Sequence, residues 1–144
     1  MELSYAPGAC NIGPAEIARR RRAALVGAIG TVALCAVLIA SGTAPGDLGR
    51  LLVGLPLTGA AIGWIQAQRR FCLAYGFAGT FNLGAIGEMH RVVDIASLAA
   101  DRRAALAIAA QGVAIGLAGA LLFLVLPIQD RKSTRLNSSH SQQS

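Results

Sequence analysis

A chain of 144 residues that is 54% hydrophobic and only 14% charged, with a mean hydropathy of +0.55, has the composition of a bilayer-embedded protein rather than a soluble domain. Three cysteines, Cys10, Cys35 and Cys72, are an odd number without extracellular disulfide spacing, which argues against a stapled secreted fold. The formal net charge of +6 gives no support to nucleic-acid binding, because the arginines sit beside apolar runs, where topology and anionic lipid account for them.

In chain order, Asn11-Ile12-Gly13-Pro14-Ala15-Glu16 reads as a helix start. Pro14 is placed in the first turn, where its missing N–H is harmless, and Glu16 lies near the positive end of the helix dipole. Arg19, Arg20, Arg21 and Arg22 then precede Ala23 to Ala40, an uninterrupted apolar stretch. A crossing helix needs about 20 residues, with about 17 as the lower limit, so this is a first span at about 23–41. It lacks a small-x-small cleavage site and is succeeded by further apolar segments, which makes it an anchor rather than a leader.

Ser41 to Asp47 is a turn by its Gly and Pro content, and Asp47 can cap the next helix. The second span, about 48–67, carries Arg50 at its outer end, Trp64 near the other boundary and Pro56 in between, where a kink is predicted. Arg69 and Arg70 close it. The third span, about 104–126, is entered from Asp101-Arg102-Arg103 and closed by Pro127.

Between them, Phe71 to Gly87 is apolar but contains Gly76, Gly79, Gly84, Gly87 and Asn82. Each interior glycine weakens a helix by about 1 kcal/mol relative to alanine, so residues 71–100 are read as an interfacial or re-entrant segment. Met89 to Ala100 within it is expected to form a short surface helix on the stripe Met89, Val93, Ala96 and Ala100. The expected architecture is an all-α membrane protein with three transmembrane helices and this segment on the cytoplasmic side, in one domain over 1–129; a four-helix bundle is the alternative. Arg19 to Arg22, Arg69 with Arg70, and Arg102 with Arg103 then share one side, which the positive-inside rule makes the cytoplasm. The N-terminus is therefore expected on the cytoplasmic side.

From Asp130 onward apolar periodicity disappears, as expected of a disordered segment, and the string Asp-Arg-Lys-Ser-Thr-Arg-Leu-Asn-Ser-Ser-His resembles one reading frame of a short-read sequencing adapter. The expectation is a truncated, metagenomic-type reading frame whose residues 130–144 are non-native, which removes His140 from consideration. Three basic residues and one acidic one lie in that tail, so its loss lowers the net charge by two.

Candidate chemistry is sparse. Cys10 and Cys72 each lie beside a basic helix end, and a neighbouring cation favours the thiolate that acts as nucleophile or metal ligand. They could form a redox pair, a sulfur carrier or soft metal ligands with His90, or simply pack as small buried residues. Cys35 falls in the middle of a span and is expected to pack. Gly59 with Gly63, and Gly112 with Gly116, are small-xxx-small pairs that let helices approach closely, within one chain or across a homo-oligomer. No ionisable residue falls deep within a span, where burying one costs about 2.5 to 3.5 kcal/mol on insertion scales, so proton-coupled transport is disfavoured. Walker, dinucleotide-binding and nucleophile-elbow motifs are missing, and no cofactor is legible.

Cys10-Asn11-Ile12-Gly13 with Glu16, Ile17 and Arg19, and then a hairpin ending in Phe71-Cys72-Leu73-Ala74-Tyr75-Gly76, resembles a family of small bacterial inner-membrane domains of unknown function. That family carries an Asn-Ile/Val-Gly start, a two-helix hairpin and a Phe-Cys-Pro-Leu-Tyr motif, and occurs alone or fused to rhodanese domains. The resemblance covers about half the chain; Leu73 replaces the family proline and the third span is additional. It implies a bacterial inner membrane as the location, with the N-terminus inside; it also implies that Cys72 matches the family cysteine and that a sulfur-related role is open. The leading expectation is a non-enzymatic membrane protein whose partners are the lipid bilayer and a second copy or another membrane protein. A thiol-dependent module and a channel or transporter subunit are the alternatives.

Overall fold

A computed structural model describes residues 4–128. The expected tail at 130–144 and the expected domain end at 129 lie outside those residues. Three helices in the described part are long and apolar enough to cross a membrane, and the architecture is the all-α membrane type with a small structured base.

Helix α1 (Pro14–Ala40) has Pro14 and Glu16 in its first turn. Its 27 residues span roughly 40 Å at about 1.5 Å per residue, more than the roughly 30 Å of hydrocarbon, so the arginine-bearing turns extend beyond the apolar zone. Leu25, Val26, Ile29, Val32 and Val37 are exposed along it, an outward face that only lipid or another apolar surface can cover. A 3-10 turn over Leu48–Val53 leads into α2 (Gly54–Arg69). Instead of a kink at mid-span, the backbone changes type just before Pro56. The proline ring would clash with the carbonyl of Leu52 in an α-helix; here the Gly54 N–H donates to Leu51 and Leu52 instead, and Pro56 falls in the first turn of α2.

The connection after α2 is not a crossing. Helix α3 (Leu73–Ala78) has six residues, and strands β1 (Thr80–Phe81) and β2 (His90–Arg91) pair antiparallel, Thr80 opposite Arg91 and Phe81 opposite His90. The surface helix expected at 89–100 is corrected: the chain is extended through His90 and Arg91, and α4 (Ile95–Val125) begins only at Ile95. Asp94 decides that start, because its Oδ2 accepts from the Ser97 N–H at 3.1 Å and the Ser97 hydroxyl at 2.9 Å, an N-cap stronger than a loose apolar stripe. From there α4 runs unbroken for 31 residues through the third span, so Arg102 and Arg103 lie about two turns inside it.

Helix α2 is central and packs against both α1 and α4, while α1 and α4 hardly meet. Glycines set the approach. A Cβ on Gly63 would lie 3.2 Å from backbone atoms of Arg20 and Ala24, and one on Gly27 would lie 3.0 Å from Ala60, fixing α1 on α2. Gly112 faces Ile62, and Gly116 faces Thr58 and the Gly54 carbonyl, too close for any Cβ, fixing α4 on α2. Gly59 and Gly30 meet nothing within 4 Å. Gly59 therefore leaves the set of helix-packing residues within this chain: it points away from both neighbours.

Candidate functional site

The motifs at Asn11-Ile12-Gly13 and Phe71-Cys72 are separated by one helical hairpin and come together at its open end. Asn11 is fully buried. Its Oδ1 accepts from the Cys72 N–H at 2.6 Å and its Nδ2 donates to the Cys72 carbonyl at 3.1 Å, so the side-chain amide imitates a paired backbone. Its own N–H donates to the Arg70 carbonyl at 3.1 Å, and its carbonyl accepts from the Asn82 N–H at 2.9 Å. One residue thus ties the N-terminal strap, the end of α2 and the β1 loop. Arg70 adopts a left-handed conformation (φ 56°) to reverse the chain after α2. Gly13 is required by close approach, because a Cβ there would overlap the backbone of Leu83.

Cys72 caps the start of α3, and the Leu73 N–H donates to Gln66 Oε1 at 3.0 Å. The Cys72 side chain is 1% exposed and packs with Ile12, Ile17, Ala67 and Tyr75. Its Sγ accepts from Arg20 Nη2 at 3.0 Å. The same guanidinium lies 3.3 Å from Glu16 Oε2, and Arg19 Nη1 lies 3.7 Å from Oε1. Glu16 is completely buried and neither oxygen has a hydrogen bond, so those two cations are its compensation. Arg20 also lies over the Tyr75 ring at 6.0 Å. Burial, reinforced by the Glu16 charge, pushes the Tyr75 phenol up from its ordinary value.

A second buried carboxylate closes the base. Asp101, on α4 and fully buried, accepts the Tyr5 hydroxyl at 2.6 Å and the Gly8 N–H at 2.7 Å. Burial first, and the bond to Asp101 second, push the Tyr5 phenol well above its ordinary value. Gly76 lets α3 sit on α4, since a Cβ there would lie 2.9 Å from the Asp101 carbonyl.

A comparison of the chain with protein-family models, curated proteins and solved structures finds no match. Function is therefore argued from the site itself.

The expected residues separate into distinct groups. Cys10 and Cys72 are both buried and free, and their sulfurs have different partners: Cys10 Sγ is 3.6 Å from the Ile12 carbonyl, Cys72 Sγ faces Arg20. His90 is exposed and stacks on Phe81 with ring centroids 5.4 Å apart. Cys10, Cys72 and His90 do not form a ligand set, and among the described residues no group of three or more His, Cys, Asp or Glu is placed to hold a metal. Cys35 packs in the cluster of Val53, Ala120 and Phe123. Arg19, Arg21, Arg22, Arg69, Arg70, Arg102 and Arg103 are exposed and gather at the base end of the three helices; Arg20 alone of that group turns inward.

Sequence reasoning missed the inward use of Asn11, Glu16 and Asp101, and the role of Arg50 at the opposite end of the bundle. Asp47 caps the turn as expected, accepting the Gly49 N–H at 2.9 Å, and Arg50 turns to other partners. It is 0% exposed, donates to the carbonyls of Thr43 (3.0 Å), Phe123 (3.0 Å), Leu126 (2.9 Å) and Ile128, and stacks over the Phe123 ring at 4.7 Å. A lone arginine at the edge of an apolar run was the available signal: in a membrane such a residue needs a partner, and the orphan carbonyls at the end of a helix are the nearest acceptors.

Proposed function

We propose that this chain is a non-enzymatic module of a bacterial inner membrane, N-terminus in the cytoplasm, which acts by packing its spans against a second copy or another membrane protein. It belongs, on this reading, with the small inner-membrane domains that its Asn-Ile-Gly and Phe-Cys motifs resemble. The observation that carries the proposal is the direction of its chemistry. Asn11, Cys72 and Asp101 are fully or almost fully buried and are occupied in joining the strap, the hairpin and α4, and the buried Glu16 is paired with Arg19 and Arg20 of its own helix. The outward surface offers apolar span faces and arginines instead. Gly59, open to its surroundings while Gly63 is filled by α1, supports a close contact with a helix from another molecule. The gathering of exposed arginines at the base supports a cytoplasmic base.

The test is the oligomeric state of the purified protein in lipid nanodiscs by native mass spectrometry, with Gly59→Leu as the variant. Discrete oligomers that Gly59→Leu converts to monomers are expected; a monomer at all protein-to-lipid ratios would overturn self-association, and failure to copurify any membrane partner would then end the reading. A thiol-dependent module is the second reading, favoured by the 3.0 Å contact between Arg20 and Cys72 Sγ. Alkylation of the folded protein separates the two. A packing cysteine reacts only as fast as the base opens, whereas a working thiol labels at once and its loss in Cys72→Ser produces a phenotype.

A further inference from the structure

An apolar groove lies between α1 and α2, with a cavity volume of about 430 Å³. Arg21, Ala24 and Ala28 form one wall, and Leu57, Ala61 and Trp64 form most of the other. The volume lies within the range of about 300–1,000 Å³ that small-molecule sites occupy. Small alanines on both helices create the space, and the Gly27–Ala60 and Gly63–Ala24 approaches hold the helices rigidly beside it. A second concavity on α1 shares Ala28 and continues past Ile29 and Val32 to Ala33. From Arg21 to Ala33 is roughly 18 Å along the helix at about 1.5 Å per residue, close to half the roughly 30 Å hydrocarbon core, the depth of one leaflet. The groove is therefore apolar along one leaflet and cationic at its mouth.

Arg21 differs from Arg19 and Arg20 in its pairing, and from Arg22 in lining the groove. Arg19 and Arg20 pair with Glu16, while Arg21 has no ion-pair partner among the described residues. It is exposed at the groove's base end, next to Trp64, a ring type that prefers the headgroup level.

We propose that this groove is a binding site for an anionic phospholipid, with one acyl chain along α1 between Arg21 and Ala33 and the phosphate at the Arg21 guanidinium. The inference rests on the membrane reading of the chain. A guanidinium meets a phosphate with paired N–H donors, and an apolar wall a leaflet deep excludes a water-soluble phosphate as the natural occupant.

Trp64 is the only tryptophan in the sequence, and it lines the groove, so its fluorescence reports the occupant. The protein is reconstituted in phosphatidylcholine vesicles containing increasing fractions of brominated phosphatidylglycerol or, separately, brominated phosphatidylcholine. Half-maximal quenching is expected at an about five-fold lower fraction of the anionic lipid, the effect of one cation near an anionic surface. Arg21→Gln should erase that preference and Arg103→Gln should leave it. Equal quenching by the two lipids, or a preference that survives Arg21→Gln, overturns the site while leaving the membrane reading intact. Absence of quenching by either lipid overturns both.

Discussion

The two ends of the bundle solve the same problem, unsatisfied backbone at the ends of apolar helices, with different means. At the end opposite the base, one side chain does it: the Arg50 guanidinium gathers carbonyls from the turn after α1 and from the end of α4. At the base, the strap, α3 and the β1 loop are added so that Asn11, Gln66, Asn82 and Asp101 can each bind backbone of another segment or their own loop. A single charged fork closes an end where two segments meet. Where five segments meet, three amides that can donate and accept work together with one carboxylate that only accepts. The first arrangement concentrates the consequence of a mutation in one residue; the second spreads it.

The comparison can be broken most severely at Arg50. Arg50→Met should destabilise the bundle by about 3–5 kcal/mol, since several charge-assisted bonds of about 1.5–3 kcal/mol are lost together and do not add fully. Steric-trapping measurements in bicelles would show it, and a loss under about 1 kcal/mol would mean that water serves those carbonyls equally well. Asn11→Leu comes next, with about 1–3 kcal/mol expected from the buried Cys72 N–H left without a partner, while the Cys72 carbonyl keeps the Gly76 N–H at 2.9 Å. Asn11→Asp should recover part of that, because it still accepts from the Cys72 N–H; equal loss in both variants would show that shape rather than hydrogen bonding matters there.

Gly116→Ala should cost about 1–3 kcal/mol by forcing α4 away from Thr58 and the Gly54 carbonyl, while Gly59→Ala leaves monomer stability unchanged within error. The same assay on both separates intrachain contact from open surface. The smallest effect is alkaline. Both Tyr5 and Tyr75 are raised in the folded protein, so the folded state holds the phenolic proton more tightly. Their contribution is complete below the ordinary tyrosine value near about pH 10 and is lost as pH rises toward the folded values. Thermal melting between about pH 8 and 11 should show stability falling above about pH 10, and Tyr5→Phe should flatten that fall.

Much of the base was present in the sequence as unexplained local signals. Asp94 with Ser97 three positions later marks the true start of α4, but the stripe from Met89 to Ala100 suggests an earlier one, because a short apolar pattern cannot distinguish a helix from an extended edge plus a helix. Pro56 signals a backbone change, and only its place along the chain differs from the expected mid-span kink. Asp101 looks like part of a charged boundary; nothing local announces that Tyr5, 96 positions earlier, will reach it. Glycine spacing marks Gly59, Gly63, Gly112 and Gly116 alike; a Cβ on the last three would meet a neighbouring helix and one on Gly59 would meet nothing, a difference the spacing does not carry because it says nothing of which face a neighbour occupies.

The sequence by itself determined the membrane class, the three long apolar helices and the clustering of arginines at their shared end, because these depend on length, composition and charge added along the chain. Tertiary structure alone decided which of the few polar residues would be sealed inside. Asn11 and Cys72, Arg20 and Cys72, Tyr5 and Asp101, and Arg50 with the end of α4 each join groups whose partnership arises only after the segments have packed. A buried donor or acceptor is defined by the partner the fold delivers to it.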